Sequence, residues 1–157
     1  MTKRNITIVA IVFLAVIIMF SAKIIIRRGK DVPKNIKELN LEEQYSKINN
    51  SVKPSIIIFS YDAECCESTK KFFYDYNSNA KKLMKDYENK FETLFINTGA
   101  IESEKENKVL EKIAKDNEVS KLPSILVRDS KGKKIKVFEG TFDDKEIRKV
   151  LDGVMKQ

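Results

Sequence analysis

Two adjacent cysteines, Cys65 and Cys66, are the residues of this chain best suited to chemistry, and they are its only cysteines. They lie in "IIIFSYDAECCESTKKFF", residues 56–73, where an apolar run ends in a polar turn and a helical pattern begins. A thiol at a helix N-terminus meets unpaired backbone N–H groups and the positive end of the helix dipole, which favour thiolate over thiol. Lys70 and Lys71 would add to this effect. Glu64 and Glu67 oppose it, because nearby negative charge disfavours a second anion. The expectation is a reactive thiol less acidic than that of a strong oxidant. The pair also has chemistry of its own. A vicinal disulfide closes an eight-membered ring that distorts the peptide link, and strained disulfides are readily reduced. Two thiolates can hold a soft cation such as Cu(I). The bland reading is that one or both cysteines are small buried apolar residues. With no histidine and no third cysteine, Cys–His catalysis, histidine-ligated zinc and a four-thiolate zinc site within one chain are excluded.

Chemistry at that junction needs a strand to deliver it and a helix to receive it. Pro54 introduces "SIIIFSY", too short and too β-branched for a helix, which reads as a central strand buried on both faces. After the cysteines, Phe72, Tyr76, Ala80, Leu83 and Tyr87 recur at helical spacing. They predict a long amphipathic helix with a possible bend at "NSN", residues 77–79. Upstream, "NLEEQYSKI" predicts a short helix capped by Asn40, with Glu43 in the capping-box position. Downstream, "FETLFIN" reads as a strand and "ESEKENKVLEKIAKDN" as a helix with Val109, Leu110, Ile113 and Ala114 on one face. "SILVRD" and "KIKVFEG" read as strands joined by "SKGK", where Gly132 supplies positive φ. A last helix is capped by Asp143 and buries Ile147, Val150, Leu151 and Val154. Strand–helix–strand units favour parallel pairing, and the closing hairpin adds an antiparallel strand. The predicted class is α/β, with a mixed sheet of about four strands flanked by helices.

The N-terminus has a different composition. Residues 1–5 form a short tail, and residues 6–26 run from Ile6 to Ile26 with Lys23 as the only charge. As a helix this stretch spans about 32 Å, close to the ~30 Å hydrocarbon core of a bilayer. Lys23, near one end, can snorkel toward the headgroups. The stretch reads as an uncleaved transmembrane anchor. A cleaved signal peptide fits less well, because "MFSAK" offers no small-x-small site and no cysteine follows for lipidation. Residues 27–39 are charged, contain Pro33 and read as a tether to a domain at 40–157. Six of the 30 basic residues fall in the first thirty positions, which hold no acid, so the remaining 24 face 23 acidic ones. The basic excess therefore belongs to the anchor region and not to a nucleic-acid surface. The expectation is a single-pass protein of the cell membrane with an extracytoplasmic domain, although the charges flanking the anchor lean the other way.

The order of elements, with cysteine at the first strand-to-helix junction, resembles thioredoxin over roughly residues 40–155. The best-matching stretch is "AKDNEVSKLPSILVRDSKGKKIKVFEGTFDDKEIRKVL", residues 114–151, in which Val119, Leu122, Pro123, Ser124, Gly132 and Gly140 fall where that family places its marks. The resemblance implies that Pro123 is cis and faces the reactive cysteine, with Leu122 and Pro123 touching substrate. The family motif A-x-W-C-G-P-C-K can be laid on "AECCESTK" in two registers. In one, Cys66 is the nucleophile, Thr69 replaces the second cysteine, and Ser60 stands where the family keeps a buried acid. In the other, Cys65 is the nucleophile and Ser68 takes the second place. Either way a hydroxyl replaces the resolving thiol, and the motif's glycine, proline and tryptophan are absent. The implied function is thiol–disulfide exchange by a membrane-anchored protein. It would act through a single nucleophilic cysteine or the vicinal pair, on protein thiols or disulfides, without a cofactor. The alternative is a redox-inactive thioredoxin-fold interaction or accessory module in secretion or envelope assembly.

Overall fold

Six consecutive buried residues, Ser55–Ser60, form the strand β1. The structure, a computed structural model, describes residues 40–156. The expected anchor and tether lie outside the described residues. Among the described residues no helix is long and apolar enough to cross a membrane. Around β1 the chain runs α1 (Leu41–Asn49), β1, α2 (Glu67–Tyr87), β2 (Glu92–Asn97), a 3-10 turn (Thr98–Ala100), α3 (Glu104–Asp116), β3 (Ser124–Arg128), β4 (Lys134–Glu139) and α4 (Asp144–Val154). The sheet order is β2-β1-β3-β4. β1 pairs parallel with β2 and antiparallel with β3, and β3 pairs antiparallel with β4.

Because strand side chains alternate, the sheet buries two separate sets. Ile56 and Ile58 join Ile125, Val127 and Phe138 beneath α2 and α4. Ile57 and Phe59 join Leu94, Ile96 and Leu126 beneath α1 and α3. Each fully buried Ile or Phe contributes roughly 1.5–3 kcal/mol. β1 serves both layers, as β3 does, so the strand that leads to the cysteines is one of the two central, fully buried strands.

The helix ends follow the sequence signals. Asn40 and Glu43 form a reciprocal capping box on α1. Ser103 caps α3, whose first residue, Glu104, lies two residues beyond the start expected at Glu102, and Asp143 caps α4. α2 is one uninterrupted helix through residues 77–79. Asn77 does not bend it, because its side chain bonds outward to the β1 segment instead of competing for its own backbone. Phe72, expected on the buried stripe, is 37% exposed, whereas Tyr76, Ala80, Leu83 and Tyr87 are buried.

One expectation fails. The β2–α3–β3 unit does not give parallel pairing, and β3 runs antiparallel to β1. α3 ends in a Schellman motif, with Val119 N bonded to Ala114 O and Glu118 N to Lys115 O, and Glu118 in the left-handed region at φ 56°. Residues 118–123 then travel back along the sheet. Glu118 pairs with Lys134 at one end of β4, while Ser120 donates to Glu139 at the other. β3 therefore starts at the end where β2 stops: Ser124 pairs with Phe59, and Asn97 pairs with Ser60.

Candidate thiol site

Cys66 is the N-cap residue of α2, with extended backbone at φ −160° and ψ 154°. Its carbonyl accepts the first helical hydrogen bond, from Lys70 N at 2.9 Å. Both cysteines are free and exposed. Three side-chain atoms surround the Cys66 sulfur: Thr69 Oγ1 at 3.0 Å, Ser68 Oγ at 3.6 Å and Cys65 Sγ at 3.7 Å. The Thr69 hydroxyl, one turn along the helix, does most to stabilise the thiolate. The Thr69 N–H, the Ser68 hydroxyl and the Cys65 thiol add to it. Together they lower the Cys66 pKa from 9.0 to about 6. The helix N-terminus expected to do this contributes through the Thr69 N–H, while the added charge expected from Lys70 and Lys71 is not among the causes and the hydroxyls are. Lys71 is paired with Asp75 at 2.6 Å, one turn further along α2. Cys66 and Thr69, paired in one of the two registers, are in contact. Ser68, the second-position residue of the other register, also points its hydroxyl at Cys66.

The turn that carries the cysteines is held by a polar network that the sequence reading missed. Ser60, fully buried, donates to Asn77 Oδ1 at 2.5 Å. Asn77 Nδ2 donates to Tyr61 O at 3.3 Å and to Asp62 Oδ1 at 2.8 Å. Asn97 Nδ2 donates to the other Asp62 oxygen at 2.7 Å. Thr98 Oγ1 donates to Ser60 O at 3.0 Å. The ends of β1 and β2, the 3-10 turn and α2 are thereby joined directly behind residues 61–63. The one available sequence signal was Asn77 itself, a polar residue spaced with Ala80 and Tyr87 on the buried face of a helix. Ser60, which takes the place of the family's acid in this register, is a neutral member of the network.

The Leu122–Pro123 peptide bond is cis. Pro123 is buried, and its carbonyl accepts from Gly140 N at 2.8 Å, which ties the loop before β3 to the end of β4. Because Ser124 pairs with Phe59, this loop lies at the end of β1 from which the cysteine turn departs. The same end carries exposed apolar surface at Tyr61, Phe72 and Leu122. Tyr61 packs edge-on against Phe73 at 5.8 Å and covers Gly99, where a Cβ would lie 2.5 Å from the ring. A groove of about 390 Å³ borders the turn, lined in part by Asp62, Lys70 and Lys81. A larger hollow of about 610 Å³, between Pro54, Lys90 and Met155, lies at the opposite end of the sheet. Among the described residues no group of three or more cysteines and acids is placed to hold a metal ion.

No protein-family profile matches the chain, and no curated protein matches it. Solved structures do. An uncharacterised thioredoxin-like protein from Clostridium perfringens aligns at 20% identity over 80% of this chain and 94% of that one, with a TM-score of 0.51. A designed protein aligns at 15% identity over 75% and 89%, with a TM-score of 0.49. A Malassezia sympodialis thioredoxin aligns at 14% identity over 74% and 86%, with a TM-score of 0.45. The likeness to the Clostridium protein shows the fold alone: these four strands and their helices have a thioredoxin-like fold.

Proposed function

We propose that this thioredoxin-like domain performs thiol–disulfide exchange with Cys66 as its nucleophile, on protein disulfides, tethered to a membrane through residues 6–26. The observation that carries the reading is the environment of the Cys66 sulfur. It is exposed at a helix N-terminus and lies 3.0 Å from Thr69 Oγ1, to which the thiol donates and from which the thiolate would accept. The thiolate is the nucleophile in exchange, and these contacts favour it at neutral pH. Cys66 attacks one sulfur of the substrate disulfide, the other substrate sulfur departs as thiolate, and a mixed disulfide joins Cys66 to the substrate. The exposed apolar side chains of Tyr61, Phe72 and Leu122 support a polypeptide substrate over a small thiol, because extended chains offer apolar side chains to cover them.

A redox-inactive interaction module is favoured by one observation, the hydroxyl of Thr69 at the position of a resolving thiol. One experiment separates the readings. The purified full-length chain, kept in detergent, is compared with Cys66→Ser and Cys65→Ser variants in reduction of insulin disulfides by an added thiol. Exchange predicts loss of the enhancement in Cys66→Ser. Wild-type rates equal to those of a double-serine control would sink the exchange reading. Mixed disulfides isolated from cells that carry the Cys65→Ser variant would identify the partners.

A further inference from the structure

The mixed disulfide on Cys66 has to be released, and the environment of that sulfur names the group that can do it. Of the three side-chain atoms around Cys66 Sγ, two are hydroxyl oxygens that cannot form a disulfide, and the third is Cys65 Sγ at 3.7 Å. The chain has no other cysteine. We propose that Cys65 is the resolving thiol: it attacks the Cys66 sulfur of the mixed disulfide and closes a vicinal Cys65–Cys66 disulfide. This inference rests on the reading of Cys66 as the nucleophile.

The step balances. Cys65 gives up its proton to solvent, and its thiolate forms a bond to Cys66 Sγ. The bond between Cys66 Sγ and the substrate sulfur breaks, and the substrate leaves as a thiolate. Over the two steps the substrate disulfide gains two electrons and the cysteine pair loses two. A low-molecular-weight thiol or a reduced dithiol protein resets the pair.

Access favours this route. Both sulfurs are exposed, so no apolar packing holds the Cys65 side chain. Closing from 3.7 Å to the roughly 2.05 Å of a disulfide requires side-chain rotation. The product is a poor store of oxidising equivalents. Neighbouring Cα atoms are about 3.8 Å apart, short of the usual 4.4–6.8 Å span, so the ring is distorted and readily reduced. Cys65 thus acts as a release device: it frees the substrate and quickly returns to the dithiol. The pair fills the role of a C-x-x-C with its second sulfur on the N-terminal side of the nucleophile.

The test uses the full-length reduced chain in detergent and one equivalent of a symmetrical nitroaryl disulfide, whose thiolate product is coloured. The wild type is expected to release both coloured halves and to end as a monomer lighter by two hydrogens. Cys65→Ser is expected to release the first half and retain the second as an adduct. Release of the second half should be at least about a hundredfold faster in the wild type, given the effective molarity of a neighbouring group. The proposal is overturned if the wild-type adduct persists as long as that of Cys65→Ser. It is also overturned if release depends on protein concentration and yields a disulfide-linked dimer. Failure of the underlying reading looks different: Cys66→Ser would then release the first half as fast as the wild type. Neither sulfur packs in the core, so both variants are expected to fold, and circular dichroism checks this.

Discussion

The acidity of Cys66 depends chiefly on one hydroxyl, and that dependence can be measured. Thr69→Val keeps the shape of the side chain and removes the donor, so the thiol should move up from about 6 toward its ordinary value of 9.0. The rate of alkylation by iodoacetamide should rise with pH and level off above about 7 in the wild type, because the thiolate is then nearly complete. In Thr69→Val the half-maximum should move to higher pH. An unchanged profile would show that the hydroxyl is a bystander. The same shift has a stability sign. The folded pKa lies below the unfolded one, so ionised Cys66 favours the fold fully above pH 9.0, and that contribution is lost as pH falls through about 6. Much of this residue's role was legible in sequence, since a strand, a turn and a helical pattern already placed a cysteine at a helix start. Which of the two cysteines caps the helix was not. Cysteine carries no capping preference comparable to that of Ser or Asp, and the two registers differ by a single residue.

At the scale of elements, the parts that escaped the sequence are contacts between segments far apart in the chain. Asn77 reaches Ser60, Tyr61 and Asp62 across 15 to 17 residues, and no local pattern announces such a bond. Asn77→Leu should cost about 1–3 kcal/mol, because it leaves the buried Ser60 hydroxyl without its acceptor. Adding Ser60→Ala should recover part of that loss, since the orphaned group is then gone. Urea midpoints of the two single variants and the double variant measure the coupling. Additive losses would show that the Ser60–Asn77 bond contributes no coupling and that Asn77 acts through its other contacts. Arg128 makes a comparable tie on the other face of the sheet. It is 3% exposed, donates to Ser55 at 3.0 Å and Tyr45 at 3.2 Å, and lies over the Tyr45 ring. Arg128→Ala should cost about 1.5–3 kcal/mol, and Arg128→Met less, because the longer side chain refills the space. Equal losses would mean that the charge-assisted bonds, and not the volume, are what β3 contributes there. The direction of β3 was illegible for a related reason. The return path of residues 118–123 depends on Glu118 adopting left-handed backbone, which a glutamate in sequence does not signal.

For the whole molecule, the separation of charge along the chain bears on where the thiol works. The basic excess lies in the first thirty residues, and the rest of the chain is nearly neutral, which is the division expected of the proposed anchor and the domain it would carry. Stable substrate disulfides are most abundant outside the cytoplasm, whereas cytoplasmic ones are transient and catalytic or redox-sensing. Short N-terminal anchors commonly leave their own N-terminus inside, and on that rule we propose that the domain lies outside. The flanking charges pull the other way, with Lys23, Arg27, Arg28 and Lys30 after the apolar stretch against Lys3, Arg4 and the terminal amine before it. Cys66 itself can report the outcome, because it is exposed and its thiol is largely ionised at neutral pH. A membrane-impermeant maleimide added to intact cells should label the wild-type chain within minutes. Cys66→Ser should label far more slowly, and prior permeabilisation should add little. Labelling that appears only after permeabilisation would put the domain in the cytoplasm. Cys66 would then work against a reducing thiol pool, and Cys65 would have no closed ring to maintain.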